Sequence, residues 1–133
     1  MTAKDVLAQY CKAMESGADA CLRLMDENIV FHAPCIAAPV PKTMTGIEAV
    51  GGAYQMLFAH IFKKFRWSGE IFATDNPEVA IALMTSQVEL MDGRAYSNDY
   101  TVISRVRDGK IYEHTEFFDT ARACEAFAGL MGG

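Results

Sequence analysis

An α+β fold, with helices first and a hairpin-linked antiparallel sheet after them, is what the 133-residue sequence predicts. Three observations carry this. Apolar residues recur at helical spacing as far as Ile61, the period changes to two from Phe65 onward, and Asp92-Gly93 and Asp108-Gly109 punctuate the strand-like runs. Asp-Gly between extended segments signals a hairpin, because both central residues of a type I′ turn have positive φ. The length fits one domain spanning 1–133.

Val6, Leu7, Tyr10, Cys11 and Met14 share one face of a first helix, which Ser16-Gly17 breaks. Ala18, Cys21, Leu22 and Met25 start a short second one, and the β-branched and aromatic Ile29–Phe31 predicts a first strand. Pro34, Pro39 and Pro41 then predict a loop from Ala33 to Met44, long enough to rim a pocket. Thr45 and Glu48 read as a capping box, followed by a stripe of Ile47, Val50, Gly51, Tyr54, Leu57, Phe58 and Ile61 on a third helix broad enough to cover a sheet. Four strands follow: one centred on Phe65–Ala73, then Val79–Met91, Tyr96–Val106 and Lys110–Asp119. The end, Ala121–Met131, reads as a short helix or a tail.

Composition excludes several function classes. A net charge of −5, with Lys63, Lys64 and Arg66 as the only tight basic cluster, gives no nucleic-acid footprint. No segment approaches the roughly 20 apolar residues of a membrane span. Cys11, Cys21, Cys35 and Cys124 lack metal or disulfide spacing and read as free thiols of a cytoplasmic protein. His32, His60 and His114 do not have zinc-site spacing, and no nucleotide or phosphate motif is present, so neither metal nor cofactor is expected. Cys35 has no neighbouring base in sequence to activate it.

Candidate chemistry depends on which strand faces point inward. In Val79–Met91 the odd positions begin apolar with Val79, Ile81 and Leu83. Without a bulge that face continues through Thr85, Gln87 and Glu89, whereas a bulge would turn Val88 and Leu90 inward and leave Gln87 and Glu89 in solvent. Both readings stand. In the closing strand one face carries Tyr112, His114, Glu116 and Phe118, the other Ile111, Glu113, Thr115 and Phe117. If Glu89 and Glu116 share a cavity they form a carboxylate pair suited to acid/base work; otherwise they are surface glutamates. His32 ends the first strand beside the Pro-rich loop, and His114 lies two residues from Glu116, so either histidine suits proton transfer near neutral pH. Asn98 and Tyr100 offer pocket hydrogen bonds. Tyr54, Phe58, Phe62, Trp67 and Met91 read as pocket wall and core.

The element order, with Asp92-Gly93-Arg94-Ala95-Tyr96, Asn98, Tyr100, Asp108-Gly109-Lys110-Ile111 and Glu116-Phe117-Phe118-Asp119, resembles the SnoaL-like branch of the superfamily of nuclear transport factor two and ketosteroid isomerase. The resemblance runs from about Val6 to Ala126. It implies a cone-shaped α+β barrel: three N-terminal helices on a curved, mostly antiparallel sheet, with a deep apolar pocket at the open end and a homodimer formed through the sheet's outer face. Among enzymes the chain is similar to limonene epoxide hydrolase, whose two catalytic carboxylates fall on Glu116 and Glu89. That enzyme's linking Arg falls on Gln87, which removes the cation between them. The segment that would carry the isomerase's base reads Cys35-Ile36-Ala37-Ala38, without a carboxylate. The resemblance therefore implies a cofactor-independent isomerase, cyclase or hydrolase. Glu116 would act with Glu89, His32 or His114 on a small apolar or cyclic molecule. Gln87, Asn98, Tyr100, Tyr54, Phe58, Trp67 and Phe118 would hold that molecule. The alternative is a non-catalytic module binding a ligand or protein through the same cavity.

Overall fold

The computed structural model describes residues 1–36 and 41–130. Among these, helices α1 (Ala3–Ala13), α2 (Ala18–Leu22), α3 (Ile47–Met56) and α4 (Thr120–Phe127) accompany strands β1 (Met25–His32), β2 (Thr43–Thr45), β3 (Phe62–Ala73), β4 (Val79–Leu90), β5 (Ala95–Tyr96), β6 (Asp99–Arg107) and β7 (Lys110–Phe118). One sheet runs β2-β1-β7-β6-β4-β3, with β5 added on β4. Every pairing is antiparallel except β1 with β7. The sheet curls into a half-barrel, with α1 against β3, β4 and β6, and α3 against β1.

The helix starts differ from the sequence pattern. Thr45 ends β2, which starts at Thr43 within the loop expected from Ala33 to Met44, and Gly46 with φ 93° begins α3 without a side-chain cap, so the Thr45–Glu48 capping box does not form. A capping box closes α1 instead: Asp5 N–H donates to Thr2 Oγ1 at 3.1 Å and Thr2 N–H donates to Asp5 Oδ2 at 3.0 Å. The third helical stripe is also not one helix, because α3 passes into a π-helical turn at Leu57–Ile61 before β3. The end resolves as α4, capped by Asp119 Oδ1, which accepts from Arg122 N–H at 3.0 Å. The loop residues Ala37, Ala38 and Pro39, and Met131, lie outside the described residues.

Strand parity is where structure and sequence part most. Along β4 the even residues Ala80, Ala82, Met84, Ser86, Val88 and Leu90 are all buried, and pairing with β3 is continuous from Glu89 to Ala80. Gln87 and Glu89 therefore face outward, yet no bulge in β4 turns them there. The apolar Val79, Ile81 and Leu83, which pointed to an inward odd face, lie on the outer side of the sheet. Small and medium residues on the even face leave room for α1 to lie across the strand. Ile111 is corrected as well. It is fully buried, because Tyr112 is an extra residue between the pairs Val106–Ile111 and Arg105–Glu113, and this bulge lets Ile111, His114 and Glu116 all point inward. Met91 is exposed at the hairpin turn and forms no part of the core.

Two glycines give opposite predictions. A Cβ on Gly69 would lie 1.9 Å from the Leu83 carbonyl oxygen across the β3–β4 ladder, whereas one on Gly52, in α3, meets open space. Gly69→Ala should lower unfolding stability by about 2–3 kcal/mol through overpacking against backbone. Gly52→Ala should raise it by roughly 0.5–1 kcal/mol through helix propensity. Urea unfolding followed by circular dichroism reads both.

Candidate functional site

The inward faces of β6 and β7 and the buried stripes of α1 and α3 bring five polar side chains into one chain of hydrogen bonds. Ser104 Oγ lies 2.8 Å from His114 Nδ1, and His114 Nε2 lies 2.8 Å from Glu116 Oε2. The Tyr10 hydroxyl donates to the same Oε2 at 3.1 Å, and the Tyr54 hydroxyl sits 2.5 Å from that of Tyr10. Counting hydrogens sets the directions. Tyr10 spends its single proton on Glu116, so Tyr54 donates to Tyr10. Ser104 and His114 have no solvent exposure, both ring nitrogens are engaged, and the Glu116 carboxylate accepts from Nε2–H. Stacking on Phe31, with centroids 5.5 Å apart and planes at 27°, and a tilted contact with Tyr10 hold the ring in place.

Glu116 is the end of this chain that meets open space. Its side chain keeps 12% exposure, and Oε1 takes no hydrogen bond from the described residues while not being sealed off. It faces a cavity of about 80 Å³ walled by aromatic rings, among them Phe31, Phe65, Trp67, Tyr100 and Phe118, with Phe127 of α4 at one side. This is well below the roughly 300–1,000 Å³ of drug-sized ligand pockets, so the deep pocket expected from the resemblance is a compact one. Burial first, and the Glu116 charge second, push the Tyr10 and Tyr54 hydroxyls far above their ordinary range, so both remain neutral donors. The same two causes raise the Cys11 and Cys21 thiols to about 12.

The site residues expected from sequence divide sharply. Glu116, Tyr54, Trp67, Tyr100 and Phe118 line the cavity, and His114 supports Glu116 from behind. Glu89 does not share the cavity: it is exposed on the outer face with Lys63 Nζ at 3.7 Å, and Gln87 is exposed beside it. His32 also faces outward, because Phe31 takes the inward position next to it. Its Nε2 meets Glu113 Oε2 at 2.8 Å and its Nδ1 meets Thr43 Oγ1 at 3.0 Å. Asn98 is buried but offers nothing to a ligand. Its amide donates to Tyr96 Oη and the Asp119 carbonyl, and its Oδ1 accepts from the Asp99 and Asp119 N–H groups. Phe58 stands behind the wall, edge-on to Phe62. Sequence reasoning missed Tyr10 and Ser104 as members of the network. A hydroxyl-bearing ring in a buried helical stripe, and a serine alternating with Val102 and Val106, were the available signals, since a buried hydroxyl needs a partner.

Among the described residues no group of three or more His, Cys, Asp or Glu is placed to hold a metal ion, and no helix is long and apolar enough to cross a membrane. The profile of the SnoaL-like domain matches residues 7–114. The chain belongs to the SnoaL-like domain family. An uncharacterised PhzA/B-like protein of Pseudomonas aeruginosa is 27% identical, the match covering 98% of this chain and 93% of that one. A Bacillus subtilis protein provisionally assigned as an isomerase superposes with a TM-score of 0.82 at 22% identity, covering 94% of this chain and 91% of its own. A Pseudomonas putida protein provisionally assigned as a polyketide cyclase gives 0.80 at 15% identity, covering 95% and 98%. At these identities the superpositions establish the cone-shaped fold of this SnoaL-like chain.

The thiol environments predict a clear partition. Ellman's reagent should titrate the exposed Cys35 and Cys124 in the native protein, and Cys11 and Cys21 only after denaturation. Unfolded thiols release protons near their ordinary value of 9.0, while the folded ones hold them to about 12. Unfolding therefore releases protons in this window, and the urea midpoint should fall as pH rises from 9 towards 12. A flat profile there would contradict the burial of both thiols.

Proposed function

We propose that this protein is a cofactor-independent enzyme that moves a proton on a small, largely apolar, carbonyl-bearing molecule, with Glu116 as the group that takes and returns it. The single observation that supports the reading most is the asymmetry of the Glu116 carboxyl: Oε2 is held by His114 and Tyr10, and Oε1 is left to the cavity. An oxygen aimed by fixed donors on its twin is prepositioned for proton transfer, and general acid/base catalysis of this kind contributes about 10²–10⁴-fold. His114 and Tyr10 are then positioning residues. The Ser104 hydroxyl is not a nucleophile, since it is fully buried behind His114 and does not line the cavity. The family and the provisional isomerase and cyclase assignments of its structural relatives support an enzyme of this general kind.

The test is exchange of α-carbon hydrogens of a panel of small acyclic and cyclic ketones in heavy water, followed by NMR. Exchange above the buffer rate should fall about 10²–10⁴-fold in Glu116→Gln. Exchange equal to buffer across the panel would turn the reading to the binding module.

The outer face of the sheet supports a homodimer as part of the same proposal. Leu83 is 48% and Phe117 37% exposed there, beside an open groove of about 450 Å³ that includes Thr85 and Thr101. Light scattering should give twice the 14.6 kDa chain mass at micromolar concentration, and Leu83→Lys should shift it to monomer. A monomer mass for the unmutated chain ends the dimer. Four free thiols suit a cytoplasmic location.

A further inference from the structure

On its cavity side Glu116 meets no basic residue. None of the residues that line the cavity is Lys, Arg or His; the ionisable groups there are Glu116 and the phenols of Tyr10, Tyr54, Tyr96 and Tyr100. His114 holds Oε2 from behind, outside the cavity lining, and leaves Oε1 to the cavity. The one free carboxylate oxygen therefore looks into a space from which aromatic side chains exclude most water.

Such a space ranks ligands by charge. An anion meets Glu116 with nothing to offset the repulsion. A neutral apolar molecule strips water from Oε1 and offers it only a C–H in return. A cation satisfies Oε1 directly, and aromatic rings are the walls that best tolerate one. Size narrows the class to a compact head group: a cavity of roughly 150 Å³ accommodates a benzene ring and this one is about 80 Å³ but open on one side. Only the head of a ligand such as choline therefore enters, and its remainder projects outward. We propose that the cavity is a binding site for a small organic cation, a methylated or protonated ammonium head seated against Glu116 Oε1 with its apolar substituents on the aromatic wall. This shares Glu116 with the proposed function but does not depend on turnover.

The experiment uses three ligands of one shape: choline, its uncharged carbon isostere neohexanol, and the anion tert-butylacetate. Trp67, the single tryptophan, lines the cavity and reports binding by fluorescence. Choline should bind at least about tenfold more tightly than neohexanol, tert-butylacetate should bind most weakly, and Glu116→Gln should erase the choline preference while circular dichroism confirms the fold. In the unmutated protein, the Glu116 side-chain carboxyl carbon shift should move with choline and not with neohexanol, a readout that needs no variant. Choline binding no tighter than neohexanol, a preference that survives Glu116→Gln, or no binding of any of the three at millimolar concentration overturns the proposal. Each of those results leaves the proton-transfer reading standing, since ketone exchange tests it separately.

Discussion

The polar groups beside the cavity are arranged around one largely buried carboxylate. Placing Glu116 among aromatic rings is costly unless its charge is spread over donors, and two donors converge on Oε2 from elements far apart in sequence: His114 from the same strand and Tyr10 from α1. Each of those donors is itself fixed, His114 by Ser104 on β6 and Tyr10 by Tyr54 on α3. A single charge thus ties two helices to two strands. The same charge reaches Cys11 and Cys21 and helps hold their thiols protonated.

The second constraint is the division of the sheet into a face that receives helices and a face that does not. Even positions of β4 and β6 are small or apolar beneath α1. On the outer face apolar Leu83 and Phe117 are interspersed with Thr85, Thr101 and the contacts of Glu113 with His32 and Arg105. A bulge at Tyr112 keeps this division consistent along β7, which otherwise would turn Ile111 to solvent or Glu116 away from the cavity. Trp67 binds the two layers together, its indole N–H donating to the Cys11 carbonyl at 2.6 Å while its ring lines the cavity.

The sequence grouped Tyr112, His114, Glu116 and Phe118 on one face of the closing strand without fixing which way it turned, and only the resemblance turned Glu116 inward. His114, Glu116 and Phe118 do share the inner side, while the bulge leaves Tyr112 with Arg107 and Glu78. The facing of Glu89 and Gln87 stayed open in the sequence, and His32 was expected at the pocket mouth, for one common reason. Each lies next to an apolar residue that claims the interior, Val88 and Leu90 beside the first two and Phe31 beside the third, and a run of alternating residues offers no local sign of which phase wins when the outer face is also apolar. Asn98 was misread differently. Its inward position was correct, but an amide has four hydrogen bonds to make, and the backbone of Asp99 and Asp119 together with Tyr96 takes all of them.

By itself the amino-acid sequence determined the order of the main helices and strands, though not the short β2 and β5, the hairpin at Asp108-Gly109 with φ of 54° and 76°, the absence of a basic footprint, and the presence of Glu116 among the aromatic residues of the closing strand. These are local properties, set by residue periodicity and by the few residues that tolerate positive φ. Tertiary structure alone decided the phase of β4, the partners of Glu116 and the volume left beside it. Each of these depends on side chains brought together across the chain, as Tyr10 and Glu116 are across 106 positions, and no neighbouring residue encodes such a contact.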